Sequence, residues 1–63
     1  MKVTVTANIN GEIKTFSYEN IVKIENVFVK CDDTIIEETR IYETNFHWHT
    51  FRKDGIANIF VQM

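Results

Sequence analysis

Lys2-Val3-Thr4-Val5-Thr6-Ala7-Asn8-Ile9-Asn10-Gly11-Glu12-Ile13-Lys14-Thr15-Phe16-Ser17-Tyr18 consists of two alternating runs joined by Asn10-Gly11. Asn-Gly tolerates the positive φ that both central positions of a two-residue type I′ turn require, and the twist of that turn matches the twist of paired strands. A turn centred there sets a register. It puts Val3 opposite Tyr18, Val5 opposite Phe16 and Ala7 opposite Lys14, and it sends Thr4, Thr6, Asn8, Thr15 and Ser17 to the other face. A one-residue slip would mix the two faces, so turn chemistry and face pattern support each other.

The rest of the chain extends this pattern. Ile, Val, Thr, Phe, Tyr and Trp make 30 of the 63 residues, and these types suit a pleated, half-buried surface. A turn at Tyr18-Glu19-Asn20, with Asn20 left-handed, would return Ile21 to Cys31 along the second strand. Val22 and Ile24 are even-numbered whereas Val27, Val29 and Cys31 are odd, so a bulge near Glu25-Asn26 is expected. Asp32-Asp33-Thr34 reads as a turn, Ile35 to Glu43 as a fourth strand, Thr44-Asn45 as a tight turn and Phe46 to Arg52 as a fifth strand. Asp54-Gly55 gives a second type I′ signal before a sixth strand, Ile56 to Met63. Thr34-Ile35-Ile36-Glu37 also matches a helix capping box, and Ile35 to Thr44 is the segment where a short helix competes; its β-branched and aromatic residues favour the strand. Thr15-Phe16, Glu19, Ile21 and Ile24 are echoed 35 positions on by Thr50-Phe51, Asp54, Ile56 and Ile59, which reads as one turn solution used twice. The expected fold is all-β: a single small domain over residues 1–63, with five to six antiparallel strands connected as a meander and curled into a small barrel or a two-layer sheet.

Composition limits function. A chain this short buries only about 60% of its unfolded surface, too little for a core plus a deep catalytic cleft. Cys31 is the sole cysteine, which excludes an internal disulfide and a multi-thiolate zinc site. A small buried hydrophobe is its expected role. Seven Lys+Arg against nine Asp+Glu give a net charge of −2, which offers no general attraction to phosphate backbones or anionic lipid. No basic stretch leads into an apolar run at the start, and no run is long enough to span a bilayer. With a lone thiol, the cytosol is the expected compartment. Ile, Lys and Asn make 20 of the 63 residues, a bias that suits an AT-rich bacterial or phage genome.

His47-Trp48-His49 would place two imidazoles on one face of a strand, and Glu38 or Glu43 could approach them as metal ligands. A third spaced ligand is missing, which makes a metal the third-ranked reading. Ser17 and Cys31 have no neighbouring base, and Gly11 and Gly55 are consumed by turns; neither a catalytic constellation nor a cofactor is implied. The basic residues are dispersed and outnumbered, so a single-strand nucleic-acid binder ranks second.

The leading expectation comes from a surface. Two-residue turns at Thr44-Asn45 and Asp54-Gly55 would pair Ile41 with Trp48, Thr39 with Thr50 and Trp48 with Val61, turning Phe46, Trp48, Ile41, Ile59 and Val61 inward. Arg40, Tyr42, His47, His49, Phe51 and Phe60 would then point outward beside Glu38 and Gln62. That is a recognition composition and not a solvated face. It marks a non-enzymatic interaction module that self-associates or docks as an adaptor or inhibitor on a larger protein.

Overall fold

The Asn10-Gly11 hairpin forms in the register its turn dictates. In the computed structural model, which describes residues 1–63, β1 (Lys2–Ile9) and β2 (Glu12–Tyr18) pair with Val3 against Tyr18, Val5 against Phe16 and Ala7 against Lys14. Asn10 and Gly11 have φ of 54° and 85°, and the Gly11 amide donates to Asn8 Oδ1 at 2.9 Å. The polar face is knitted by hydroxyl contacts, Thr4 to Ser17 at 3.3 Å and Thr6 to Thr15 at 3.5 Å.

Four further strands follow: β3 (Lys23–Cys31), β4 (Thr34–Tyr42), β5 (Trp48–Arg52) and β6 (Ile56–Gln62), the last two separated by one 3-10 turn at Lys53–Gly55. The chain contains no α-helix, so Ile35 to Thr44 takes the strand alternative. The six strands form two three-stranded antiparallel sheets, ordered β2-β1-β6 and β3-β4-β5. The fold is therefore two layers and does not close into a barrel.

The expected meander is corrected at two places, both where the chain changes layer. Asn20 is left-handed as expected, with φ 59°, but Ile21 does not turn back along β2. Its amide donates to the Met1 carbonyl at 2.8 Å, and the Met1 ammonium donates to the Ile21 carbonyl at 3.1 Å. Ile21 is thereby held between the layers, 3% exposed, and β3 starts in the second sheet. Burying this isoleucine in the core outweighs a hairpin that would leave it at an edge. The second crossing is at Asp54-Gly55, which belongs to the 3-10 turn and not to a type I′ hairpin. A Cβ on Gly55 would meet the Asn8 carbonyl oxygen at 3.1 Å, so glycine lets this crossing run close beneath β1. β6 then pairs with β1, Val3 against Val61 and Val5 against Ile59, and Trp48 has no partner in β6.

The bulge is also elsewhere. β3 pairs with β4 without interruption from Lys23–Tyr42 to Cys31–Thr34, so Glu25-Asn26 is regular. The register shift falls in β6, between the partners of Thr6 and Ala7, and it returns Ile56 to the core face.

Val3, Val5, Ala7, Ile21 and Ile41 form the buried cluster, with Met1, Tyr18, Ile24, Phe51, Ile56 and Ile59 packed around it. Buried Thr39 donates its hydroxyl to Asn26 Oδ1 at 2.7 Å, which satisfies the one polar side chain in the interior layer.

The 35-residue echo has a structural counterpart. β1-β2-β3 and β4-β5-β6 are equivalent three-strand units, and each sends its third strand to the other's sheet: β6 completes β2-β1, and β3 completes β5-β4. Phe16 and Phe51, the echoed aromatics, face each other across the layers at 5.3 Å.

Candidate interaction surface

The loop before β5 decides where the expected recognition residues go. A two-residue turn at Thr44-Asn45 would have paired Ile41 with Trp48, but the loop is longer. The Thr44 hydroxyl accepts from the Phe46 and His47 amides, both at 3.1 Å, and the Glu43 and Thr44 amides donate to the His47 carbonyl at 2.9 and 3.2 Å. β5 enters one residue late, pairing Tyr42 with Trp48, Ile41 with His49 and Thr39 with Phe51. A slip of one residue exchanges the faces of a strand. His49 and Phe51 therefore turn toward the first sheet, while Trp48 turns away from it.

The six residues are consequently distributed and do not share a face. Phe51 is half-buried against Phe16 and Tyr18. His49 stacks on Tyr18 with ring centroids 4.0 Å apart, and its Nε2 lies 2.9 Å from Glu43 Oε1. Burial, followed by the charge of Glu43, raises the Tyr18 pKa. Arg40 and Tyr42 lie on the outer face of the second sheet. There the Arg40 guanidinium sits 5.0 Å over Trp48, Lys23 Nζ sits 4.3 Å over Tyr42, and Tyr42 is tilted against Trp48 at 5.2 Å. This lattice buries Tyr42 almost completely and leaves Trp48 42% exposed. His47 is in the exposed loop, away from His49. Phe60 is exposed on the outer face of the first sheet, opposite Thr4. Of the residues expected inside, Ile41 is buried and Ile59 packs on the core, whereas Phe46, Trp48 and Val61 are exposed. Cys31, expected to be buried, is exposed at the end of β3.

No group of three or more His, Cys, Asp or Glu side chains is placed to hold a metal ion. Two open depressions of about 270 and 300 Å³ flank the 3-10 turn. In the second, Lys53 bonds Glu37 and Arg52 bonds Asp54, each at 3.2 Å, so its charges are already paired.

The more conspicuous surface is one the sequence pattern implies to be covered. β5 pairs with β4 only from Glu38 to Tyr42, so beyond Glu38 the β3–β4 hairpin is a two-stranded ribbon. Phe28 and Ile35 lie on its inner side beyond the reach of the core, 73% and 69% exposed. Val27, Val29 and Ile36 occupy its outer side and are half-buried. The β4 flank of the ribbon is occupied by the 3-10 turn through Lys53 and Glu37; the β3 flank is open. A returning β2–β3 hairpin would have paired this strand on both sides, which is why the open edge was not foreseen. Its signal in the sequence was Val27-Phe28-Val29, three apolar residues in a row on a strand with only one sheet neighbour.

Comparison of the chain with protein-family models, with curated proteins and with solved structures returned no match.

Proposed function

We propose that this chain is a non-enzymatic protein-interaction module of the cytosol, which works by placing its β3–β4 hairpin against another polypeptide. One observation carries the reading: the hairpin presents apolar side chains on both faces along an unpaired edge. A two-stranded ribbon is marginal by itself in water, and an exposed, long apolar edge strand templates pairing with a further strand. No helix is long and apolar enough to cross a membrane.

The nucleic-acid reading draws support from the cations stacked on Tyr42 and Trp48. Against it, Glu25 and Glu38 alternate with Lys23, Arg40 and Arg52 on the same face, so no positive groove forms.

Three measurements test the proposal together: sedimentation of the purified chain, capture from a nuclease-treated lysate, and titration with a labelled single-stranded oligonucleotide at low salt. Association with itself or with a captured protein, insensitive to nuclease and lost on changing Phe28 to Lys, is the expected result. A chain that is monomeric, captures no protein and binds the oligonucleotide overturns it in favour of the alternative.

A further inference from the structure

We infer that the partner of the β3 edge is a second copy of this chain, paired antiparallel about a two-fold axis at Phe28 to give a continuous six-stranded sheet β5-β4-β3-β3-β4-β5. The inference rests on the interaction reading above and names its occupant. Of the four free edges, β3 is the longest uninterrupted one. β5 is five residues long, β2 seven, and β6 carries the register shift near Ala7. β3 runs nine residues without a bulge, and from Asn26 to Val29 it has no charge.

The backbone permits this pairing. A two-residue turn at Asp32-Asp33 closes on a bonded pair, Cys31 and Thr34, and bonded and non-bonded pairs alternate along an antiparallel ladder. The amides and carbonyls of Asn26, Phe28 and Lys30 therefore point away from β4, toward the open side. A two-fold axis perpendicular to the sheet keeps the faces of both copies in common, so only residues of the same parity can be opposed. Centred on Phe28, the register sets Phe28 against Phe28, Val27 against Val29 and Asn26 against Lys30. Each bonded pair uses the outward groups just identified.

Side chains agree on both faces. On the inner face the two copies of Phe28, 73% exposed in the single chain, meet at the axis, with Ile35 one strand behind on β4. On the outer face Val27 of each copy meets Val29 of the other, and Ile36 backs Val29 from β4. No like charges are directly opposed, since Lys30 faces Asn26 and Glu25 faces Cys31. Like charges across a strand pair destabilise, and apolar pairs stabilise, so this strand is complementary to itself in a way that a generic edge is not.

The test is a charge exchange at the axis. Phe28 is mostly in water in the single chain, so Phe28→Lys and Phe28→Glu should each keep the wild-type far-ultraviolet spectrum. Sedimentation equilibrium from low micromolar to near-millimolar should show wild type dimerising and each variant dimerising at least about tenfold more weakly. An equimolar mixture of the two variants should recover the dimer, because the ammonium of one and the carboxylate of the other would then be opposed across the axis. Hydrogen exchange on wild type alone provides an independent reading: the amides of Asn26, Phe28 and Lys30 should gain protection as concentration rises. A monomeric wild type that still captures a different protein overturns the self-pairing and leaves the interaction reading intact. A wild type that is monomeric and captures nothing overturns both. A dimer indifferent to the two variants, or variants whose mixture fails to reassociate, shows that copies meet elsewhere.

Discussion

Ile41 and Ile35 allow burial to be measured with everything else held constant. Both are on β4, on the same face, and both face isoleucine-to-alanine truncation with the same loss of β propensity. Ile41 is completely buried between the layers, and Ile35 is 69% exposed on the ribbon. Removing the Ile41 side chain beyond Cβ forfeits its transfer free energy and leaves a cavity under Val5 and Ile24, a cost of about 3–4 kcal/mol. A domain of this size has on the order of 3–9 kcal/mol in total, so Ile41→Ala should lose about a third of it or more. Ile35→Ala loses the same atoms from a site already in water and should cost less than about 1 kcal/mol. The assay is urea denaturation followed by circular dichroism at a concentration below dimerisation. A gap of about 2–3 kcal/mol between the two variants is expected. Equal costs at low concentration would refute the placement of the core over the proximal half of β4.

Three further outcomes follow from the geometry. Phe51→Ala should destabilise by about 3 kcal/mol and Trp48→Ala by less, the reverse of what the two-residue turn would give; urea midpoints decide it. Gly11→Ala, at φ 85°, should cost about 1 kcal/mol with no steric clash, since nothing lies within 4 Å of the added carbon; thermal melts should show it. Burial, with Glu43 second, raises the Tyr18 pKa in the folded state, so the folded chain holds that proton more tightly than the unfolded one. The stabilisation is complete below the ordinary tyrosine value of about 10 and is lost as pH rises through the folded value. Stability should therefore fall on the alkaline side, and Tyr18→Phe should remove that component; an unchanged alkaline limb in the variant would exclude Tyr18 as its source.

Strand count, the Asn10-Gly11 register and the polar Thr4, Thr6, Thr15, Ser17 face were legible because each rests on local chemistry: a turn with required dihedrals and a period of two. The layer changes were not legible. Asn20 adopts the left-handed conformation expected of it, yet the same conformation serves a hairpin or a crossing, and the choice is made by Ile21 finding the core and the Met1 backbone. Asp54-Gly55 has the composition of a type I′ turn but serves as the end of a 3-10 turn, where a small residue is needed for passage under Asn8. The recognition face failed through one residue of loop length. Thr44 caps its own loop with its hydroxyl, the strand starts late, and His49 and Phe51 exchange sides with Trp48. Such an error is small along the chain and complete across the sheet.

The exchange of third strands between the two halves also governs how the molecule can be made. The β1–β2 ladder closes over a two-residue turn, but β1 must wait for β6 across roughly 45 intervening residues, a closure whose entropic cost grows by about 0.6 kcal/mol for each doubling of the loop. Until Ile56–Gln62 exists, the hydrogen-bonding edge of β1 beside Val3 and Val5 is bare. Neither half can mature alone, since each holds two strands of its own sheet and one strand of its neighbour's. Folding should accordingly be slow for so small a chain and all-or-none. A backbone cut between Asp32 and Asp33 should give two fragments that are unstructured apart and native together, a split protein whose complementing parts are already encoded as equivalent halves.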